Sequence, residues 1–195
     1  MHKKPVTQVI ASRMVGFFGV RFFNLLYGQK DLLSHTESNS LTDYTHVRLA
    51  NREDLDKIVA LMGKEIKKRF ERNLALESVC YVAECEGAIA GYLWTNRDVM
   101  SLLGMCLREL SENKIFLHDV FVFPEQRRKK IFHDLLHFIY NDMKNEGFHI
   151  VSCLVGKDNG PSITGFKKIG VKFGKAPVLK LPGIRPFVLG RLPKC

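Results

Sequence analysis

The chain predicts an α+β fold, and three observations carry that prediction. Short apolar strands alternate with amphipathic helices in the order β-α-α-β-β-β-α-β-α-β-β from Thr45 onward. A hairpin signal, Glu86-Gly87, sits between two alternating apolar runs, Val79–Glu84 and Ala88–Trp94. A third apolar strand, Lys114–Val122, runs into Pro124, then four consecutive cations, then a long amphipathic helix ending near Gly147. At 195 residues the chain has room for one domain with an appendage.

The elements follow in order. His46–Ala50 reads as a strand, and Asn51 with Glu53 and Asp54 supplies an N-cap and an acidic first turn. Leu55, Ile58, Val59 and Met62 then share one helix face, and a second helix covers about Lys64–Asn73. Arg97–Leu110 reads as helical. After the long helix come a strand at His149–Leu154, a short helix opening near Pro161, and strands at Val171–Phe173 and Phe187–Leu189. Ahead of all this, Val6–Tyr27 is apolar but broken by Arg13 and Arg21, too short between them to span a bilayer. Met14, Phe18, Phe22 and Leu25 recur at helical spacing, so this arm is expected to be an amphipathic helix. Its aromatic residues and flanking cations suit an anionic membrane surface, and packing on the domain or a partner suits them equally. His35–Asp43, rich in Ser, Thr and Asn, reads as a linker. The expected division is an arm with its linker, residues 1–43, and a domain, residues 44–195.

Composition bounds the function. Hydrophobic content of 46% and charged content of 26% are ordinary for a globular protein, but a net charge of +10 is not. It suits a phosphate-rich cofactor, an anionic substrate, a membrane surface or nucleic acid, and counts against a polycationic substrate. No nucleic-acid motif accompanies the charge, so no nucleic-acid partner is expected. The five cysteines form no C-x-x-C pair and no zinc spacing, which points to reduced thiols, a cytoplasmic setting and no metal.

The stretch Val122-x-Pro124-Glu-x-Arg127-x-x-x-Ile131 carries chemistry. A helix start offers unpaired N–H groups and a positive dipole end, and Arg127, Arg128, Lys129 and Lys130 add attraction for a polyanion; the alternative is a solvated basic face. A second segment reads Val155-x-x-x-Asn159-x-x-Ser162-Ile163-x-x-Phe166-x-Lys168-x-Gly170. In this order and spacing the two segments resemble the GNAT superfamily of N-acetyltransferases, over roughly residues 46–192. The resemblance implies a mixed sheet whose family strands four and five, here Lys114–Val122 and His149–Leu154, splay apart around acetyl-CoA or another acyl-CoA. It implies that backbone groups of Val120 and Val122 pair with the pantetheine, that residues Arg127, Arg128, Lys129, Lys130, Ile131 and Phe132 wrap the pyrophosphate, and that Asn159 and Ser162 contact the cofactor. Within the resemblance the ligand role is favoured for Asn159 over a simple turn before a helix, while Ser162 is equally readable as an ordinary first-turn residue.

The departures from the family pattern are specific. Lys130 and Phe132 stand where the family has small residues, and Phe166 stands where it often has a proton-donating Tyr. His118 occupies a strand position at which some relatives carry a carboxylate, and Asp119 follows it. Either is a candidate base for deprotonating an amine, or the two merely satisfy one another. Strict alternation puts His118, Val120 and Val122 on one side of the strand and Asp119 on the other. Glu84 and Glu86 are further base candidates, while His133 and His137 read as surface or packing residues. The reading is acetyl transfer from acyl-CoA to a small amine in a ternary complex, with a homodimer left open. The alternative is a non-catalytic CoA-binding or membrane-peripheral interaction module.

Overall fold

The structure, a computed structural model, describes residues 21–34, 45–102, 104–189 and 192. Contacts divide the chain into two units, Gln29–Cys153 and the combination of Met1–Gly28 with Leu154–Cys195.

The larger unit is built on a sheet in the order β7-β4-β3-β2. Its strands are β2 (Thr45–Leu49), β3 (Val79–Cys85), β4 (Ala88–Asn96) and β7 (Lys114–Val122), all paired antiparallel. The β3–β4 hairpin turns at Glu86 and Gly87, with φ of 53° and 77°, the left-handed pair that a two-residue hairpin demands. The start of β8 (Ile150–Gly156) runs parallel to β7, so the sheet is mixed. That ladder covers Lys114↔Ile150 to Leu117↔Cys153, after which β7 continues to Val122. A parallel ladder that stops halfway along β7 is the local form of the splay implied by the resemblance.

Helices α1 (Arg52–Met62) and α2 (Lys64–Ala75) cover one face. Asn51 and Asp54 cap α1 reciprocally, each side chain accepting the other's backbone N–H. Gly63 breaks the two helices apart at φ 89°. Ile58, Ile66 and Phe70 pack with Val82, Tyr92, Trp94 and Phe123 into a buried cluster. Helix α3 (Ile131–Asn145) packs across β2, β3, β4 and β7 and buries Leu135, Leu136, Ile139, Tyr140 and Met143. It is tied to β3 by the Tyr81 hydroxyl, which donates to Asp142 Oδ2 at 2.9 Å.

Two expectations fail here for the same physical reason. Arg97–Leu110 is a β-hairpin, β5 (Val99–Leu102) and β6 (Met105–Glu109), turning at Gly104 with φ 75°. The arm's last stretch is a strand, β1 (Arg21–Asp31), with Phe23, Leu25 and Tyr27 buried and Phe22 and Asn24 exposed. In β1 a period-2 pattern lay inside an apolar run that also satisfies helical spacing, and β5–β6 is a short apolar run without strict alternation; in both, tertiary pairing decided the element. The helix that made a membrane surface attractive therefore does not extend over Arg21–Tyr27; residues 1–20 and 35–44 lie outside the described part.

The smaller unit contains the first part of β1, the end of β8, α4 (Gly160–Lys168), β9 (Lys172–Lys180) and β10 (Phe187–Val188). Lys157 donates its backbone N–H to Asn24 O at 3.0 Å, and β10 pairs antiparallel with β9. Gly170, at φ 88°, ends the α4 segment, and Val171 donates its N–H back to Phe166 O at 3.0 Å.

Candidate active site

Strand β7 is not regular where its chemistry lies. Trp94 pairs with His118 and Tyr92 with Phe121, so Leu93 alone faces two residues, Asp119 and Val120. This is a β-bulge, and Asp119 takes up its turn at φ 47°. A carboxamide or carboxylate residue tolerates that conformation better than most, because its short polar side chain can bond locally. The bulge overturns the expected alternation. Asp119 does not project away from His118's side; both side chains bond to groups on α2 and the turn after it.

Those bonds define the site. Arg69 donates to Asp119 Oδ1 at 2.8 Å, and Asn73 Nδ2 reaches Oδ2 at 3.4 Å. Burial pushes the Asp119 carboxyl up, and Arg69 opposes that rise without cancelling it. His118 Nε2 lies 3.2 Å from Ser78 Oγ, and burial lowers its pKa to about 4, so the ring is neutral near pH 7. Ser78 in turn donates its backbone N–H to Asn73 O at 3.0 Å. The Tyr92 hydroxyl and Trp94 Nε1, on cross-strand neighbours of Phe121 and His118, are buried without a hydrogen-bond partner among the described residues.

The connection from β7 to α3 is shaped by backbone geometry. A single 3-10 turn, Pro124–Gln126, is followed by Arg128 at φ 70° and Lys130 at φ 60°, both left-handed. Lys130 is the N-cap of α3, its carbonyl accepting from His133 N at 2.8 Å. Lys130 thus holds a backbone conformation that favours glycine, at the steric cost of a Cβ in the left-handed region. Ile131 is buried, Phe132 is half-buried, and Arg127, Arg128 and Lys130 are exposed. Arg127 leans back over β7, its Nε donating to Val122 O at 3.4 Å. Gly91 lets β7 approach: a Cβ there would stand 2.7 Å from Phe121 O.

His118, Asp119, Val120 and Val122 are thus gathered on β7, and Arg127–Phe132 on the turn that leaves it. Asn159 and Ser162 are joined to one another in the smaller unit, where Asn159 caps α4 by accepting the Ser162 N–H at 3.3 Å. Phe166 is buried and packs edge-on to Phe173. The other candidates have structural work. Glu84 pairs with Arg48, which also holds Asp54 at 2.6 Å; Glu86 sits at the hairpin tip; the His133 and His137 rings pack along α3 with centroids 4.1 Å apart, tilted at 36°. Among the described residues no cluster of His, Cys, Asp and Glu could hold a metal ion, and no helix is long and apolar enough to cross a membrane.

Sequence reasoning missed Arg69, Asn73 and Ser78. One signal for them existed: Asn73 falls on the buried stripe of α2 with Ile66 and Phe70, an uncharged polar residue on a core face that must have a partner.

Residues 45–171 match the model of the acetyltransferase (GNAT) family. No curated protein matches the chain. Among solved structures, a protein from Novosphingobium aromaticivorans described as a GNAT-family acetyltransferase aligns at TM-score 0.55 and 12% identity, over 82% of this chain and 64% of its own. A tandem GNAT protein of clavulanic acid biosynthesis aligns at TM-score 0.58 and 14% identity, over 81% of this chain and 52% of its own. AAC(6')-Iy, solved with a CoA-containing bisubstrate analogue, aligns at TM-score 0.51 and 17% identity, over 66% of this chain and 90% of its own. The chain therefore spans less than two-thirds of the first two, and the three share its fold. With a mixed sheet, a bulged central strand and a family match across most of the chain, this protein belongs to the GNAT acetyltransferase family.

Proposed function

We propose that the protein transfers an acetyl group from acetyl-CoA to the amine of a small molecule, by direct transfer in a ternary complex. The observation that carries this reading is the bulge at Asp119–Val120, which places two polar side chains on the stretch of β7 past the end of its ladder with β8, ahead of a cationic helix start. The turn from Arg127 to Phe132 would hold the pyrophosphate by N–H groups and by cations exposed to solvent. Val120 and Val122 offer main-chain groups to pantetheine amides in the manner of an added strand. In the smaller unit, the Asn159 oxygen caps α4, and its amide nitrogen is of the donor type that suits an amide carbonyl of the cofactor.

The thioester supplies the acyl carbon: the amine's C–N bond forms, the C–S bond breaks, the thiolate leaves, and one amine proton must be taken up. Bulge N–H groups suit the oxyanion that develops on the acyl oxygen. The proton goes to a group of the His118–Asp119 pair. Phe166 cannot return a proton to the thiolate, so solvent does so. The +10 charge supports a phosphorylated donor and a small acceptor in place of a polycationic one.

Calorimetric titration of the chain with acetyl-CoA tests the reading. Binding that is strongly weakened in a folded Arg127→Glu/Lys129→Glu double variant is expected; unchanged affinity would remove the pyrophosphate from this turn. Binding without acetyl transfer to any of a panel of small amines would favour the CoA-binding module, the reading to which Phe166 and Lys130 lend weight.

A further inference from the structure

We infer that Ser78 and Asn96 lock His118 in the tautomer with its proton on Nδ1, so that the ring enters the site as a hydrogen-bond donor and not as a base.

Asn96 is buried, and its amide orientation is fixed from four sides. Its Oδ1 accepts the backbone N–H of Asp98 at 2.9 Å and of Val99 at 2.7 Å. Its Nδ2 donates to Leu76 O at 2.6 Å and to Ser78 Oγ at 2.9 Å. Turning the amide over would set nitrogen against two N–H groups and oxygen against a carbonyl. Ser78 Oγ therefore receives a proton from Asn96, and its own hydroxyl proton needs an acceptor. Ser78 is 5% exposed, and the nitrogen of Asn96 has no lone pair to offer. The acceptor within reach is His118 Nε2, at 3.2 Å. With Nε2 accepting, the neutral ring carries its proton on Nδ1. The opposite tautomer would point two N–H groups at Ser78 Oγ and leave a buried hydroxyl proton unpaired.

The ring stacks at 12° on Phe116, centroids 5.7 Å apart, which holds its plane. Its low pKa agrees with a ring that stays neutral. The consequence for chemistry rests on the acetyl-transfer reading. His118 has no lone pair free to take an amine proton, and its remaining ring nitrogen is a donor suited to an acyl or substrate oxygen. The proton falls to Asp119, whose carboxylate keeps acceptor capacity beyond its bonds to Arg69 and Asn73. Ser78 and Asn96 are positioning residues that act through His118.

The test is nitrogen spectroscopy of the full chain, uniformly ¹⁵N-labelled, at pH 7 and without acyl-CoA. Long-range ¹H–¹⁵N correlations identify the protonated nitrogen, and the His118 signals are those missing from His118→Gln. The expected result is a protonated Nδ1 in the wild type, loss of that preference in Ser78→Ala, and its return in Ser78→Thr. A protonated Nε2 in the wild type overturns the inference, whether or not the variants fold. Retention of Nδ1–H in Ser78→Ala overturns the role of Ser78. The spectra require neither cofactor nor turnover, so a wild-type Nδ1–H in a chain that transfers no acetyl group sinks the reaction and leaves the lock standing. An active enzyme with Nε2–H does the reverse.

Discussion

His118 reaches its environment through a strand that breaks its own period, and that environment has a consequence for stability. The ring's folded pKa, about 4, lies below its value of 6.5 in a free chain. Above pH 6.5 both states hold a neutral ring and the difference contributes nothing. As pH falls from 6.5 toward 4 the unfolded chain takes up a proton that the folded protein refuses, so stability is lost across that window. Each tenfold difference in proton affinity between the two states corresponds to about 1.4 kcal/mol, and with the ring only partly shielded from solvent a loss of about 2 kcal/mol is expected. Urea unfolding at pH 7 and pH 4.5 measures it against a His118→Gln variant, in which this part of the slope should vanish. Equal slopes in the two proteins would show that the ring titrates freely. The sequence made His118 and Asp119 visible as candidates, because polar residues on an apolar strand demand partners. Their side-chain directions were not readable, since a bulge leaves no mark in an apolar run such as Asp-Val-Phe-Val that a regular strand would not also show.

At the scale of elements, the features that position the site are close approaches, and these too leave faint traces. The four antiparallel strands β2, β3, β4 and β7, both helices of the first pair and the long helix were legible from periodicity and caps. The β5–β6 hairpin and β1 were not: the apolar residues of β1 fit a period of 3.6 nearly as well as a period of 2, and those of β5–β6 form a short run that alternates in neither period. Gly91 shows what pattern alone withholds: within Ala-Gly-Tyr-Leu it reads as a weak spot in a strand, yet it is the point where β4 meets the bulged part of β7. A Cβ there meets Phe121 O at 2.7 Å, Val122 Cα at 3.3 Å and the Ile131 side chain at 3.4 Å. The first two are backbone in the middle of a sheet and cannot rotate away. Gly91→Ala is therefore expected to cost about 1–3 kcal/mol, as overpacking does, and to push β7 off β4 beside the bulge. The displaced segment, Phe121–Val122, is the proposed pantetheine edge, so acetyl-CoA affinity should fall with stability. Urea unfolding and calorimetry on the same variant check both effects. A variant as stable as the wild type would mean that the two strands have slack there.

Across the whole molecule, the segment ahead of the family match contributes core to both units. Phe23, Leu25 and Tyr27 are buried in the smaller one, at 4%, 2% and 3% exposure. Leu32, fully buried, belongs to the larger one, where its N–H donates to His149 O at 2.7 Å. A chain lacking residues 1–40 keeps every residue of the family match, and on sequence alone it is expected to fold unaided. The burial argues otherwise. Removing Phe23, Leu25 and Leu32 forfeits about 1.5–3 kcal/mol of burial for each, roughly 5–9 kcal/mol together, against a total stability of about 5–15 kcal/mol for an ordinary domain. Deleting residues 1–34 should thus lower the melting temperature by more than about 10 °C or yield a chain without a cooperative transition. Deleting only residues 1–20 provides the comparison that keeps these buried residues in place. A truncation at 34 that melts with the full-length protein would mean that the strand β1 lends the fold nothing, and that the match from residue 45 is the entire folding unit.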